Sequence, residues 1–266
     1  MMDPGFAEIA RAIHGVSGLA LSPDKGYLLK TRLAPIMERR GLANLSELAR
    51  RLPTADGPVL LRELAEATTT NETSFFRDGL PLRQIVDQVL PVLDATHPPG
   101  TPLRIWSAAC SSGQEAYSLA IAAAEAGIAR RLDILGTDLC SAMVSRAREG
   151  LFTRFEVERG LTPAQRSRWF REERGGWRVA EPIRRQCRFE VANLLGDLRG
   201  LGTFDVLLLR NVLIYFDLPT RQKVVTACTA QLAMDGALCL GATETLLGLT
   251  VPLVPLPGLR GLWRRG

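Results

Sequence analysis

The chain is poor in the residues that most often do covalent or metal chemistry. It holds 2 histidines and 5 cysteines among 266 residues. His14 and His97 lie far apart, and Cys110, Cys140, Cys187, Cys228 and Cys239 lack the paired spacing of a zinc site. Neither a histidine metal cluster nor a Cys/His nucleophile system is easy to build from these residues, and no metal is expected. Neither Gly-x-Gly-x-x-Gly nor Gly-x-x-x-x-Gly-Lys-Ser/Thr occurs, which argues against a pyrophosphate-binding dinucleotide turn and against a P-loop. No apolar run reaches membrane-spanning length, and the amino terminus has no secretory h-region, so a cytoplasmic protein that is not membrane-inserted is expected. Basic residues exceed acidic ones by a net +5, with a pI near 9.2, but they are scattered rather than blocked. An acidic partner fits that surplus; nucleic acid is not required by it.

What is present is organised around Leu103–Ala124. An apolar strand, a turn of small residues about Gly113 and an Ala-rich helix follow one another, so backbone N–H groups and a helix start face a ligand. A second strand, 132–137, places Asp138 at its carboxyl end. There it either accepts hydrogen bonds from both hydroxyls of a ribose or caps the next helix. The continuous apolar run Phe204–Leu209 has the pattern of a parallel strand buried on both faces, and it delivers Arg210 and Asn211 to the side where open α/β sheets bind ligands. Tyr215 either reaches the same cleft or packs. A helix is predicted over Leu218–Asp235, stopped by Gly236, with another strand from Ala237.

The first 68 residues read as a small all-helical domain. Phe6, Ile9, Ala10 and Ile13 recur at helical spacing. Ser22-Pro23-Asp24 has the composition of a helix start, Pro35 should kink or break that helix, Asn44 with Glu47 has capping-box spacing, and Pro58 opens a further helix. Lys30, Arg32, Arg39 and Arg40 make its middle basic: either a solvated face or a docking surface for an acidic protein. Residues 69–100 follow as a loop and linker helix, and 101–266 as the α/β domain. In the loop, Thr68–Ser74 resists helix because its side chains compete for the backbone, and Phe75 and Phe76 can pin it. Asn71 and Thr73 can hydrogen-bond. Arg77 offers a planar fork for a carboxylate, or an ion pair to Asp78 or Asp87.

Four segments together resemble the CheR family of chemotaxis receptor methyltransferases: Thr-Asn-Glu-Thr-Ser-Phe-Phe-Arg (70–77), Trp-Ser-Ala-Ala-Cys-Ser-Ser-Gly-Gln-Glu-Ala-Tyr-Ser (106–118), Gly-Thr-Asp (136–138) and Arg-Asn-Val-Leu-Ile-Tyr-Phe (210–216). The resemblance implies a Rossmann-like class I methyltransferase domain with a mostly parallel sheet, preceded by the helical domain. It implies transfer of a methyl group from S-adenosylmethionine to glutamate side chains of chemoreceptors, leaving S-adenosylhomocysteine and a γ-glutamyl methyl ester. By resemblance the cofactor contacts fall on Asn71, Thr73, Arg77, Glu115, Asp138, Asn193, Leu194, Arg210 and Asn211, with Arg210, Asn211 and Tyr215 as catalytic candidates. The basic helices carrying Lys30, Arg32, Arg39 and Arg40 would lie against the acidic receptor bundle. Two departures from the family pattern stand out: Gly113-Gln114-Glu115-Ala116-Tyr117-Ser118 replaces the frequent Gly-Glu-Glu-Pro-Tyr-Ser, and Ala242-Thr243-Glu244 replaces His-Ser-Glu. The alternatives are a methyltransferase of the same fold acting on nucleic acid or a small molecule, though the Asn/Asp-Pro-Pro-aromatic loop of base methylation is absent, and a non-catalytic module that senses the cofactor.

Overall fold

A computed structural model describes residues 5–22 and 26–266. The chain divides into two compact units, one made of residues up to Thr70 together with Tyr215–Arg221, the other of Asn71–Ile214 and Gln222–Gly266.

The smaller unit holds the helices Gly5–Ser17, Gly26–Arg39, Leu45–Arg51 and Gly57–Thr68. Apolar residues at helical spacing, among them Ile9, Ile13, Leu33, Leu48, Leu60 and Leu64, are fully buried against one another. The helix start expected at Pro23-Asp24 lies outside the described residues. Pro35 does not break its helix, which continues to Arg39. The proline removes one backbone bond, while Leu29, Leu33, Ile36 and Met37 are buried on both sides of it and hold the turn in place. Asn44 accepts the Glu47 N–H at 2.9 Å, and Glu47 returns a carboxylate to the Ala43 N–H at 2.8 Å, a reciprocal cap displaced by one residue. Leu19 bridges antiparallel to Phe216, and His14 bonds Asp217 at 3.0 Å, so the segment after residue 214 is built into this unit.

In the larger unit the strands are β1 (Leu103–Ala108), β2 (Leu132–Asp138), β3 (Leu151–Phe152), β4 (Phe170–Glu173), β5 (Gly176–Val179), β6 (Cys187–Val191), β7 (Phe204–Leu209), β8 (Leu232–Leu240), β9 (Leu253–Pro255) and β10 (Leu262–Arg265). Seven form one sheet in the order β6-β2-β1-β7-β8-β10-β9, and β3-β5-β4 form a small second sheet. Pairing is parallel from β6 to β8 and antiparallel at β10 and β9. From β1 the chain builds outward through β2 and later resumes on the other side of β1 with β7. Strand order therefore reverses at β1/β7, where such sheets open a crevice at their carboxyl ends. Every residue of β7 is buried, as its unbroken apolar run requires.

Residues 71–100 belong to this unit rather than forming a linker. Leu82, Ile85, Leu90 and Leu93 enter the same core as Leu103 and Val206, and Phe75 packs edge-on against Phe152 and Phe170 at 4.9 and 5.3 Å. The helix after residue 217 ends at Ala230, earlier than its sequence indicates, because Leu232 already pairs with Phe204 and is 2% exposed. Asp235 and Gly236 lie in a bulge of β8. A Cβ on Gly236 would sit 2.9 Å from the Asp205 carbonyl oxygen, so glycine serves close strand approach there, not a helix stop.

Candidate active site

Five described non-glycine residues adopt a left-handed backbone: Phe76, Asp78, Ala109, Ser111 and Asn211. All five lie in the loop before the first long helix of the unit, the turn after β1, or the turn after β7. Each such position costs about 1 kcal/mol or more, and their gathering at the carboxyl ends of the two central strands marks a strained, fixed binding surface. The turn after β1 is drawn tight by Cys110 N–H donating to the Thr137 carbonyl at 2.9 Å. A Cβ on Gly113, at φ 85, would meet Ala147 and Phe189 at 2.9 Å, so the turn packs against these side chains only with glycine there.

Asp138 closes β2 and is 7% exposed. Its Oδ2 accepts the Ser111 N–H at 2.8 Å and its Oδ1 the Cys140 N–H at 2.9 Å. One carboxylate thus stitches the β1 turn to the β2 turn. The Ser111 hydroxyl donates in turn to the Asn71 carbonyl at 2.9 Å. Asn71, Ser111 and Asp138 therefore form one hydrogen-bonded chain. The Asp138 carbonyl receives the Ala192 N–H at 3.0 Å, which sets Asn193 and Leu194 beside it; Asn193 Oδ1 accepts the Leu195 N–H at 3.0 Å, and Leu194 is buried. Thr73 and Arg77 are half-buried in the same unit. The Arg77 guanidinium donates to the Glu72 carbonyl at 2.9 Å, while the Glu72 carboxylate is engaged by Arg159 at 2.9 Å.

Arg210 follows directly on β7. Its side chain is 1% exposed. Nη1 donates to Glu115 Oε2 at 2.6 Å and Nη2 to the Arg77 carbonyl at 2.9 Å, with Asp78 at 3.4 Å. Burial opposes the charge, yet Glu115 outweighs it and the guanidinium is held above its ordinary pKa. The second Glu115 oxygen takes the Ser107 hydroxyl at 2.8 Å. Glu115 is spent inside the protein, and the two Nη atoms of Arg210 lock the ends of β1 and β7 to the loop that carries Arg77, while the buried Arg210 Nε has no hydrogen-bond partner among the described residues. Tyr215, expected in the same cleft, is part of the helical unit. Its carbonyl accepts the Ala20 N–H at 3.0 Å, and it lines a cavity of about 150 Å³ with Phe6, Leu29, Arg32 and Thr68.

Sequence reasoning missed the role of Glu244. Its Oε2 accepts the N–H groups of Asn211 at 2.7 Å and Gly241 at 2.8 Å; its Oε1 accepts those of Val212 at 2.9 Å and Leu213 at 2.7 Å. A single carboxylate gathers four backbone donors and holds Asn211 at its positive φ of 58°. The signal in the sequence is the acid retained in Ala242-Thr243-Glu244 although the histidine and serine before it are replaced.

A seven-stranded, mostly parallel sheet with a main-chain cradle after β1 and an acid after β2 defines a class I S-adenosylmethionine-dependent methyltransferase, and the donor set fits that cofactor: a buried carboxylate, main-chain groups at a strained turn, and an arginine on the adjoining loop. Residues 71–255 match the CheR methyltransferase SAM-binding domain, and residues 4–69 the CheR methyltransferase all-alpha domain. The chain belongs to the CheR methyltransferase family. It is 35% identical over 254 residues to chemotaxis protein methyltransferase 1 of Vibrio cholerae, covering 93% of this chain and 91% of that one. To chemotaxis protein methyltransferase 1 of Pseudomonas aeruginosa it is 39% identical over 240 residues, covering 87% and 86%. To chemotaxis protein methyltransferase Cher2 of Pseudomonas putida it is 36% identical over 251 residues, covering 92% and 91%.

The basic helices use much of their charge internally. Arg32 donates to the Thr69 carbonyl at 3.1 Å, to the Thr68 carbonyl and to the Thr70 hydroxyl at 3.3 Å, and so caps the helix that ends at Thr68. Arg40 pairs with Asp56 and with Glu63, the latter at 2.9 Å. Arg39 also pairs with Glu63, at 3.0 Å, while remaining 60% exposed. Lys30 is exposed and has no ion-pair partner among the described residues. None of the described helices is long and apolar enough to cross a membrane.

Proposed function

We propose that the chain transfers the methyl group of S-adenosylmethionine to glutamate side chains on the helical cytoplasmic bundle of chemoreceptors, forming γ-glutamyl methyl esters. The observation that carries this reading is that the side chains of the site are committed: Glu115 to Arg210, Glu244 to four amides, and Asp138 to two. No histidine stands among the site residues to act as a base. A site so built suits a nucleophile that arrives already ionised. A glutamate carboxylate, titrating near roughly 4.3, meets that condition at neutral pH, and what remains is placement for in-line attack on the sulfonium methyl at about 3 Å.

In this reading Asp138 receives the ribose hydroxyls and Arg77 the methionine carboxylate, and Asn71, Thr73, Asn193, Leu194 and Asn211 line the same ligand. Glu115 and Arg210 hold the frame. The helical unit, with Lys30 and Arg39 as its solvent-facing cations, docks the acidic receptor bundle in the cytoplasm; Arg32 and Arg40 support that surface from within. Methyl incorporation from labelled S-adenosylmethionine into receptor cytoplasmic fragments tests the proposal. The label should be released as methanol in mild alkali, as an ester requires, and should vanish when the acceptor glutamates are changed to alanine. Alkali-stable label, or transfer to nucleic acid instead, would overturn it, and binding of S-adenosylhomocysteine with no turnover would favour a sensing module.

A further inference from the structure

We propose that a cleft at the outer edge of the large sheet, walled by Arg148, Arg184, Arg185 and Arg188, binds a small molecule bearing a phosphate anhydride. The cleft lies against β6, the edge strand of the sheet. It encloses about 290 Å³, with Tyr117 and Phe189 in its lining. Four guanidinium groups there face one carboxylate, Glu181.

Their internal bonds leave most of their donors unspent. Arg148 uses only Nε, on the Phe189 carbonyl at 2.8 Å. Arg185 uses only Nε, on Glu181 at 2.9 Å, and Arg184 has a long contact of 3.4 Å to the same acid and a hydrogen bond to the Tyr117 hydroxyl. Arg188 differs, being tied by Asp133 at 3.2 Å and Glu190 at 2.7 Å. Three planar forks therefore converge from two elements, the helix Ser141–Glu149 and the short helix Glu181–Arg184 with the residue after it. Like charges gathered in a concave site repel one another and concentrate anions. The guanidinium fork matches the oxygens of phosphate two at a time.

The volume selects the class of ligand. At the lower end of small-molecule sites, which run from about 300 Å³, it takes a pyrophosphate or the phosphate tail of a nucleotide and is too small for a protein helix. The site is separate from the strained turns after β1 and β7, and the proposal does not depend on chemoreceptors being the substrate.

Calorimetry on the full chain saturated with S-adenosylhomocysteine, which keeps adenosine groups out of the cofactor site, tests the assignment. Inorganic pyrophosphate and ATP are titrated at one fixed ionic strength. Wild type should bind pyrophosphate, the double variant Arg148→Gln/Arg184→Gln should bind it at least about tenfold more weakly, and both should bind S-adenosylhomocysteine equally. Arg185→Gln, at a side chain 76% exposed, alters no buried group and should by itself weaken pyrophosphate several-fold. ATP binding more tightly than pyrophosphate identifies a nucleotide; equal affinities identify the anhydride alone. Absence of wild-type binding to both, or affinity that survives all these substitutions, overturns the proposal. A wild-type chain that binds S-adenosylhomocysteine and pyrophosphate yet methylates no receptor would fail the proposed function and leave this site standing.

Discussion

Glu244 should be worth more than its half-exposed position indicates. Four N–H groups converge on its two oxygens at 2.7 to 2.9 Å. Hydrogen bonds to a charged partner contribute roughly 1.5–3 kcal/mol each, but water can re-solvate donors at a partly open site, so the four together are expected to supply about 2–4 kcal/mol rather than their sum. Glu244→Gln is the informative change because its shape is nearly the same. One of its two terminal atoms must become an NH2 group, and whichever oxygen it replaces, two backbone donors then face a donor. Replacing Oε2 releases Asn211, whose φ of 58° loses that anchor, and replacing Oε1 releases Val212 and Leu213 in the same turn. The variant should lose about 2 kcal/mol of stability, a drop in Tm of roughly 4–8 °C for a unit of this size. Receptor methylation should fall further than cofactor affinity, since the turn after β7 is loosened while Asp138 is untouched. Thermal denaturation, calorimetry with S-adenosylhomocysteine and methyl incorporation measure the three quantities. A variant within about 0.5 kcal/mol of wild type, with unchanged turnover, would refute the claim that this carboxylate holds the turn.

Replacing Asp138 with alanine should cost on the order of 1–3 kcal/mol of cofactor binding, and calorimetry showing equal affinity would remove it from the ribose site. Arg77→Lys should lose affinity for intact S-adenosylhomocysteine but not for its decarboxylated analogue, because only the fork makes paired bonds to a carboxylate; equal losses for both ligands would assign Arg77 to the loop's fold instead. Gly160→Ala should destabilise the larger unit by more than about 2 kcal/mol, since the new Cβ at φ 105° would lie 2.0 Å from the Phe75 carbonyl oxygen, and a denaturation curve unmoved by the change would count against that packing. Charge reversal at Lys30 and Arg39 should raise the KM for receptor and make it less sensitive to salt while sparing cofactor affinity; a receptor KM indifferent to both would exclude this face.

Much of this architecture could be read from local pattern. The apolar run 204–209 and the acid at 138 fixed two strand ends, and the polar run ending in Phe75 and Phe76 announced an ordered loop, because each of these signals is carried by neighbours in sequence. What escaped was set by partners far along the chain. Glu244 is legible only with the Asn211 turn, 33 residues distant, in view. Arg32 looks like a surface cation until the carbonyls of Thr68 and Thr69 are found at its tip, 36 and 37 residues away. The helix end at Ala230 is hidden for the same reason: Asp235-Gly236 has the composition of a stop, but strand pairing with β7 claims Leu232.

The excursion of Tyr215–Arg221 into the helical unit changes what a gene-level dissection can achieve. The polypeptide passes from one unit to the other at Thr70/Asn71, returns at Ile214/Tyr215 and leaves again at Arg221/Gln222. No single cleavage yields two intact bodies. A fragment ending near residue 70 would lack Phe216, the bridge partner of Leu19, and a fragment starting at Asn71 would carry an orphaned seven-residue insert immediately after the turn that Glu244 clasps. The helical unit is thus completed by a second stretch of chain, and exchanging it intact between relatives requires exchanging both pieces at once.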